Sequence, residues 1–185
     1  MTIKTYRREV IDAINGVDMA YIEQAAVAMD CARCFGGWVY TCGNGGSAAT
    51  ASHLAGDLSK GCSIPDKAQF KTHCLSDSIP TLTAVANDVR YRSVFVNQLR
   101  HRIGTADVVV AISGSGNSHN VLYAVGYAGS VGAVTIGLSG FDGGMLAKAV
   151  DIPIIVPCNN MEQVEDVHMV VCHMMKVHLL EMINA

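Results

Sequence analysis

Ser113-Gly114-Ser115-Gly116-Asn117-Ser118 follow directly on the apolar run Val108-Val109-Val110-Ala111-Ile112. Hydroxyls donate hydrogen bonds, glycines let main-chain N–H groups approach closely, and a helix-like stretch with Val121, Leu122 and Val125 comes next. That layout suits a phosphate, because a helix N-terminus favours an anion. The loop contains no Lys or Arg, so binding would rest on neutral dipoles. A second turn, Gly43-Asn44-Gly45-Gly46-Ser47, would bring Asn44, main-chain amides and Ser47 to a polar ligand. It can also be read as Gly43-x-Gly45-x-x-Ala48, a dinucleotide fingerprint variant, but the acid expected about 20 residues on is not clearly present. His53 and Asp57, four apart, share one face of the helix that follows. Glu165, Asp166, His168 and His173 crowd an otherwise apolar C-terminal stretch. A His/carboxylate pair at helical spacing can hold a divalent metal or act as an acid/base couple, and an ordinary solvated pair has the same spacing. Glu165 and His173 are eight residues apart, a rise of about 12 Å, so one metal reaches both only through extended side chains or through ligands from different subunits.

Alternating elements must position these groups. Apolar residues recur at helical spacing through residues 8–35 (Val10, Ile11, Ile14, then Ile22, Ala25, Ala26, Met29), and Gly36-Gly37 ends that region. Strand-like runs follow at Trp38 to Cys42, Gln69 to Leu75, 107–112, Ala133 to Leu138 and Ile152 to Val156. Helical patterns separate them at 48–58, 79–87, 91–103, 118–129 and 145–149, with a last one at 161–183. Strands apolar on both faces, alternating with helices, predict an α/β fold with a parallel sheet covered by helices. Ligands of such sheets bind beyond the carboxyl ends of the strands, where both loops fall.

With 185 residues, 50% hydrophobic and 16% charged, the chain is one domain able to bury a sizeable core. A net charge of −3 without a basic run argues against nucleic acid as a ligand. No signal-type segment precedes the first helix, and no apolar run approaches the roughly 18 residues needed to cross a bilayer. Seven scattered cysteines read as reduced thiols of a cytoplasmic protein. Cys31-Ala32-Arg33-Cys34 lacks the second C-x-x-C that would complete a zinc site. Arg90, Arg92, Arg100, His101 and Arg102 read as a solvated helix face, and His168 as a packing residue or a partner of Glu165.

Gly43 to Ser47, His53 with Asp57, Asn87-Asp88, Ser113 to Ser118 and the terminal Glu165/His173 helix occur in an order that resembles the phosphoheptose isomerases of the sugar isomerase (SIS) superfamily. The resemblance spans nearly the whole chain. It implies a three-layer α/β/α sandwich with a five-stranded parallel sheet, one SIS domain over 1–185, and N-terminal helices (1–35) at the interface of a homotetramer. It implies active sites between subunits and conversion of sedoheptulose 7-phosphate to D-glycero-D-manno-heptose 7-phosphate through an enediol, towards surface-polysaccharide heptose. Ser113, Gly114, Ser115 and Ser118 would hold the phosphate. Asn44, Gly45, Gly46, Ser47, Asn87, Asp88 and Glu165 would line the sugar. His53, Asp57, Glu165 and His173 fall where the family places the ligands of one zinc per subunit. Asp57 or Glu165 would be the base, with His173 the acid/base partner. Asp57 stands where the family usually has Glu, Glu165 where it has Gln, and Lys60-Gly61 where an arginine is common. Two further readings stay open: an isomerase for another sugar phosphate, and a binding or assembly protein of the superfamily. A binding-only protein would need the Ser/Gly loop but not two carboxylates and two histidines around it.

Overall fold

In the computed structural model, which describes residues 1–185, Val108, Val110 and Ile112 join one apolar cluster and Val109 and Ala111 another. This period-two alternation with both faces buried is what a central parallel strand requires. The strand, β3 (Val108–Ser113), lies in a five-stranded parallel sheet with β1 (Trp38–Cys42), β2 (Lys71–Cys74), β4 (Val134–Gly140) and β5 (Ile152–Val156). The order is β2-β1-β3-β4-β5, with Cys42 opposite Ala111 and Ser113 opposite Ser139.

One face is covered by α1 (Ile3–Asn15), α2 (Met19–Cys34), α3 (Gly46–Gly56) and α8 (Met161–Asn184), whose Ile22, Met29, Leu54, Val167 and Met175 fill the larger cluster. The other is covered by α4 (Ile79–Asp88), α5 (Val96–Leu99), α6 (His119–Ser130) and α7 (Leu146–Ala149). The three-layer sandwich expected from the sequence is therefore the architecture found. The N-terminal helical region is two helices because Asp18 caps α2, its side chain accepting the Ala20 N–H at 3.0 Å. Asn160 caps α8 in the same way, accepting from the Gln163 N–H at 3.0 Å.

The helix expected over 91–103 is not continuous. A single 3₁₀ turn spans Tyr91–Ser93, α5 stops at Leu99, and His101 takes a φ of 63°. Val94, Phe95, Val96 and Leu99 are buried, but Arg100-His101-Arg102 has no apolar side chain to draw another turn onto the sheet. The basic residues thus divide between the 3₁₀ turn with its approach (Arg90, Arg92) and the loop after α5 (Arg100, His101, Arg102) rather than sharing one helix face, and the Arg92 guanidinium rests 5.5 Å from the Tyr123 ring centroid. No helix is long and apolar enough to cross a membrane.

Candidate functional site

The order 2-1-3-4-5 reverses direction between β1 and β3, and the crevice beyond their carboxyl ends is where open α/β sheets take ligands. Both loops meet there. A cavity of about 250 Å³ is lined by Asn44 and Ser47 from the first loop, by Ser113, Gly114, Ser115 and Ser118 from the second, and by Glu165 and Met161 of α8.

The second loop is internally braced. Ser113 Oγ donates to Ser118 Oγ at 3.1 Å, the Asn117 N–H donates to Ser115 Oγ at 3.2 Å, and Asn117 Nδ2 donates to the Ser115 carbonyl at 2.8 Å. Ser118 makes no side-chain cap for α6, so that helix offers its N-terminus uncapped to the crevice. Gly116 has a φ of +67°, and a Cβ there would strike the Gly143 carbonyl, so the loop admits only glycine at this position.

The first loop is fastened to the second through a contact that the sequence pattern does not announce. Asn44 Nδ2 donates to Asn120 Oδ1 at 2.9 Å, Asn120 Nδ2 donates back to Asn44 Oδ1 at 2.8 Å, and the Tyr91 hydroxyl donates to the same Oδ1 at 2.8 Å. Asn120 is buried at the start of α6. The Asn44 amide therefore holds the two loops in register.

About one and a half turns further along α3 lies a second cluster. His53 Nε2 and His173 Nε2 are 3.0 Å apart, and Asp57 Oδ2 lies 3.4 Å from the first and 3.7 Å from the second. Asp57 opens a π-helical turn (Asp57–Gly61), a geometry often found at functional sites. Lys176 Nζ donates to Asp57 Oδ1 at 2.8 Å, a partner the sequence reading did not single out. Burial pushes the Asp57 carboxyl up, but the Lys176 hydrogen bond and charge and the two imidazoles outweigh it, so its pKa lies below the ordinary value. One ligand atom from each of His53, Asp57 and His173 falls within 4.8 Å of the others. Two imidazole nitrogens and one carboxylate oxygen make a donor set that suits zinc, and Lys176 engages only the other oxygen. These three residues fit a divalent ion.

Glu165 is not in that cluster. It lines the crevice instead, and a Cβ on Gly46 would run into its carboxylate, so it sits at the N-terminus of α3, where negative charge is favoured. Asn87 and Asp88, at the end of α4, are exposed; Asn87 Nδ2 donates to Asp88 Oδ1 at 2.9 Å, and neither lines the crevice.

The family model described as the SIS domain matches residues 5–140. The chain belongs to this family. It is 40% identical to the phosphoheptose isomerase of Rhodospirillum rubrum over 83% of this chain and 81% of the relative. It is 35% identical to that of Syntrophotalea carbinolica over 94% and 90%. Its fold superposes on the phosphoheptose isomerase GmhA from Neisseria gonorrhoeae with a TM-score of 0.86 at 31% identity, covering 96% of each chain. The SIS fold and its phosphoheptose isomerase branch, expected from the loops and the terminal helix, are thereby established.

His168, one turn beyond Glu165, is a packing residue. It is fully buried, and neither ring nitrogen has a hydrogen-bond partner. Burial pushes its pKa down to about 4, with the Ser139 main chain opposing. The unfolded chain therefore binds a proton near pH 6.5 that the folded chain refuses until about pH 4, so stability falls as pH drops through that window. The loss should reach about 2 kcal/mol by pH 5. His168→Leu should narrow the difference in Tm between pH 7 and pH 5, and an unchanged difference would contradict this account.

Proposed function

We propose that the chain is a phosphosugar aldose–ketose isomerase, converting sedoheptulose 7-phosphate to D-glycero-D-manno-heptose 7-phosphate. The observation that carries this reading is the pairing of a Ser/Gly phosphate loop with an acid/base cluster one substrate length away. Ser47 lines the same crevice as Ser113, Ser115 and Ser118, and from Ser47 to His53 the helix rises about 9 Å. An extended heptose has six C–C bonds of about 1.5 Å, so C7 and C1 stand about 7–8 Å apart. With the phosphate among Ser113, Gly114, Ser115 and Ser118, C1 and C2 reach His53, Asp57 and His173.

In this arrangement Asp57 takes a proton from C1 of the ketose, and the released electron pair forms the C1=C2 bond of the enediol as the C2 oxygen gains a proton. A proton then returns to C2 on the same face while O1 gives up its own and C1 becomes the aldehyde. His173 serves the oxygens as acid and base, and His53 positions both partners. Glu165, Asn44, Gly45, Gly46 and Ser47 face the middle of the sugar. Asn87 and Asp88 would take part only through chain movement or from another subunit. A zinc ion, one per subunit, would be held by His53, Asp57 and His173, and when bound it supplies Lewis-acid polarisation of the carbonyl. The sequence-based zinc set included Glu165, which the cluster supports only if that side chain swings along α8.

Because Asp57 must be ionised to act and Lys176 holds its pKa low, the acid limb of kcat/KM should lie below the usual carboxylate range. Lys176→Met should move that limb to higher pH. A limb unmoved by the substitution would remove Asp57 from the role of base.

We read residues 1–185 as a single SIS domain assembled as a homotetramer, with residues 1–35 at the interface. Exposed Ile3, Ile11, Met19 and Val27 on α1 and α2 support this reading. So does an apolar groove of about 390 Å³ in which His173 lies beside Met19, Val170, Met174 and Val177, which a second subunit would close over the acid/base cluster. Light scattering should give a tetramer mass, and a monomer would contradict the intersubunit site. All seven cysteines are free thiols, which supports a reducing, cytoplasmic setting for this early step towards surface-polysaccharide heptose. Turnover of sedoheptulose 7-phosphate, with zinc and with chelator, tests the reading.

A further inference from the structure

The opposite end of the sheet carries a second cavity, of about 310 Å³, lined by Trp38, Tyr40, His73 and Arg102. Trp38 opens β1, and Tyr40 pairs in register with His73 of β2, so these side chains share the face that α4 to α6 leave uncovered at the amino ends of the strands. The Trp38 and Tyr40 rings lie 6.2 Å apart and 24° from parallel, and the His73 ring meets Tyr40 edge-on at 85°. Trp38 is 41% exposed, leaving part of its indole for a further ring to stack on.

The polar groups here share one property. Indole N–H, phenol O–H, imidazole and guanidinium can all donate hydrogen bonds, and none is engaged by another part of the chain. Tyr40 is mostly buried, but it lines the cavity and its hydroxyl makes no hydrogen bond to the chain. The one carboxylate close enough to act on Tyr40, that of Asp107, is already committed. Its Oδ1 accepts the main-chain N–H of Trp38 and its Oδ2 that of Gly104, both at 2.7 Å. A phenol with no acceptor in the chain, a guanidinium without a counter-ion and an open aromatic wall leave a ligand three kinds of contact to make.

We propose that this cavity binds a small planar aromatic anion, its ring against Trp38 and Tyr40 and its carboxylate or phosphate on Arg102 and the Tyr40 hydroxyl. The site is separate from the phosphate crevice, which lies at the other ends of β1 and β3, and it does not depend on the isomerase reading.

Trp38 is the only tryptophan, so fluorescence excited selectively at tryptophan, beyond the absorption of the six tyrosines, reports this cavity alone. The full-length protein is titrated with benzoate and AMP, and with benzamide and adenosine as uncharged counterparts. A saturable change is expected with at least one anion, with the carboxylate and phosphate arms showing which group is preferred. The uncharged counterpart and the Arg102→Met variant should each bind about tenfold more weakly, a difference of about 1.4 kcal/mol. Ser115→Asp, in the distant crevice, should leave the signal unchanged. No saturable change up to about 10 mM of either anion, the weak end of measurable affinity, would overturn the proposal. Equal binding by Arg102→Met, or a signal lost in Ser115→Asp instead, would overturn it too.

Discussion

Asp57→Asn is expected to lower kcat by about 10²- to 10⁴-fold, the usual contribution of a positioned general base. The amide keeps nearly the same shape and can still face Lys176 and the two histidines, but it cannot accept a proton from C1. KM should change little, because Asp57 does not line the crevice shared by Ser113, Ser115 and Ser118. Glu165→Gln provides the contrast. Glu165 is the other carboxylate that could act as base, and it shares the crevice with Ser113, Ser115 and Ser118. Removing its charge beside a bound phosphate should tighten binding, lowering KM by about fivefold, or roughly 1 kcal/mol, while kcat is largely kept. If Glu165→Gln lost the activity and Asp57→Asn retained it, the two carboxylates would exchange roles. Steady-state kinetics of both variants decide the matter.

Ser115→Asp is expected to abolish useful substrate binding. On the proposed reading the loop would hold its anion with hydroxyls, main-chain amides and the uncapped N-terminus of α6, without any cationic side chain. A carboxylate placed there meets the phosphate with no counter-charge between them, and like-charge juxtaposition costs several kcal/mol. Affinity for inorganic phosphate and for the sugar phosphate should fall by about 10²- to 10³-fold, at 1.4 kcal/mol per decade. Ser115→Ala, losing one neutral hydrogen bond worth about 1 kcal/mol, should cost only a few-fold. Since Ser115 is only half-buried, both variants should fold. Equal affinities for Ser115→Asp and the parent would place the phosphate elsewhere.

What could be read from the chain and what could not divide along a physical line. Local periodicity located the five strands, and Ser113 to Ser118 announced a ligand loop because glycine and hydroxyl chemistry is local. Strand order is not local, and it is the 2-1-3-4-5 arrangement that brings Gly43 to Ser47 beside that loop. The pairs that build the site are separated by 76 residues for Asn44 and Asn120, 120 for His53 and His173, and 119 for Asp57 and Lys176. No spacing rule connects such positions. Family resemblance supplied His53 with His173, but Lys176 and Tyr91 carried no signal at all. The helix expected over 91–103 failed although Ile103 continues the apolar spacing, because the backbone leaves helical geometry at Arg100 (ψ 133°) and His101 (φ 63°), which no apolar spacing reports.

The most direct test is NMR of the purified protein with sedoheptulose 7-phosphate in D₂O, with zinc and with chelator. An enediol route, with proton removal at C1 and return at C2, is expected to yield an aldose heptose phosphate carrying deuterium at C2. Neither that product nor solvent exchange at C1, from protein that still binds the sugar phosphate, would contradict the isomerase and leave a phosphosugar-binding protein in its place.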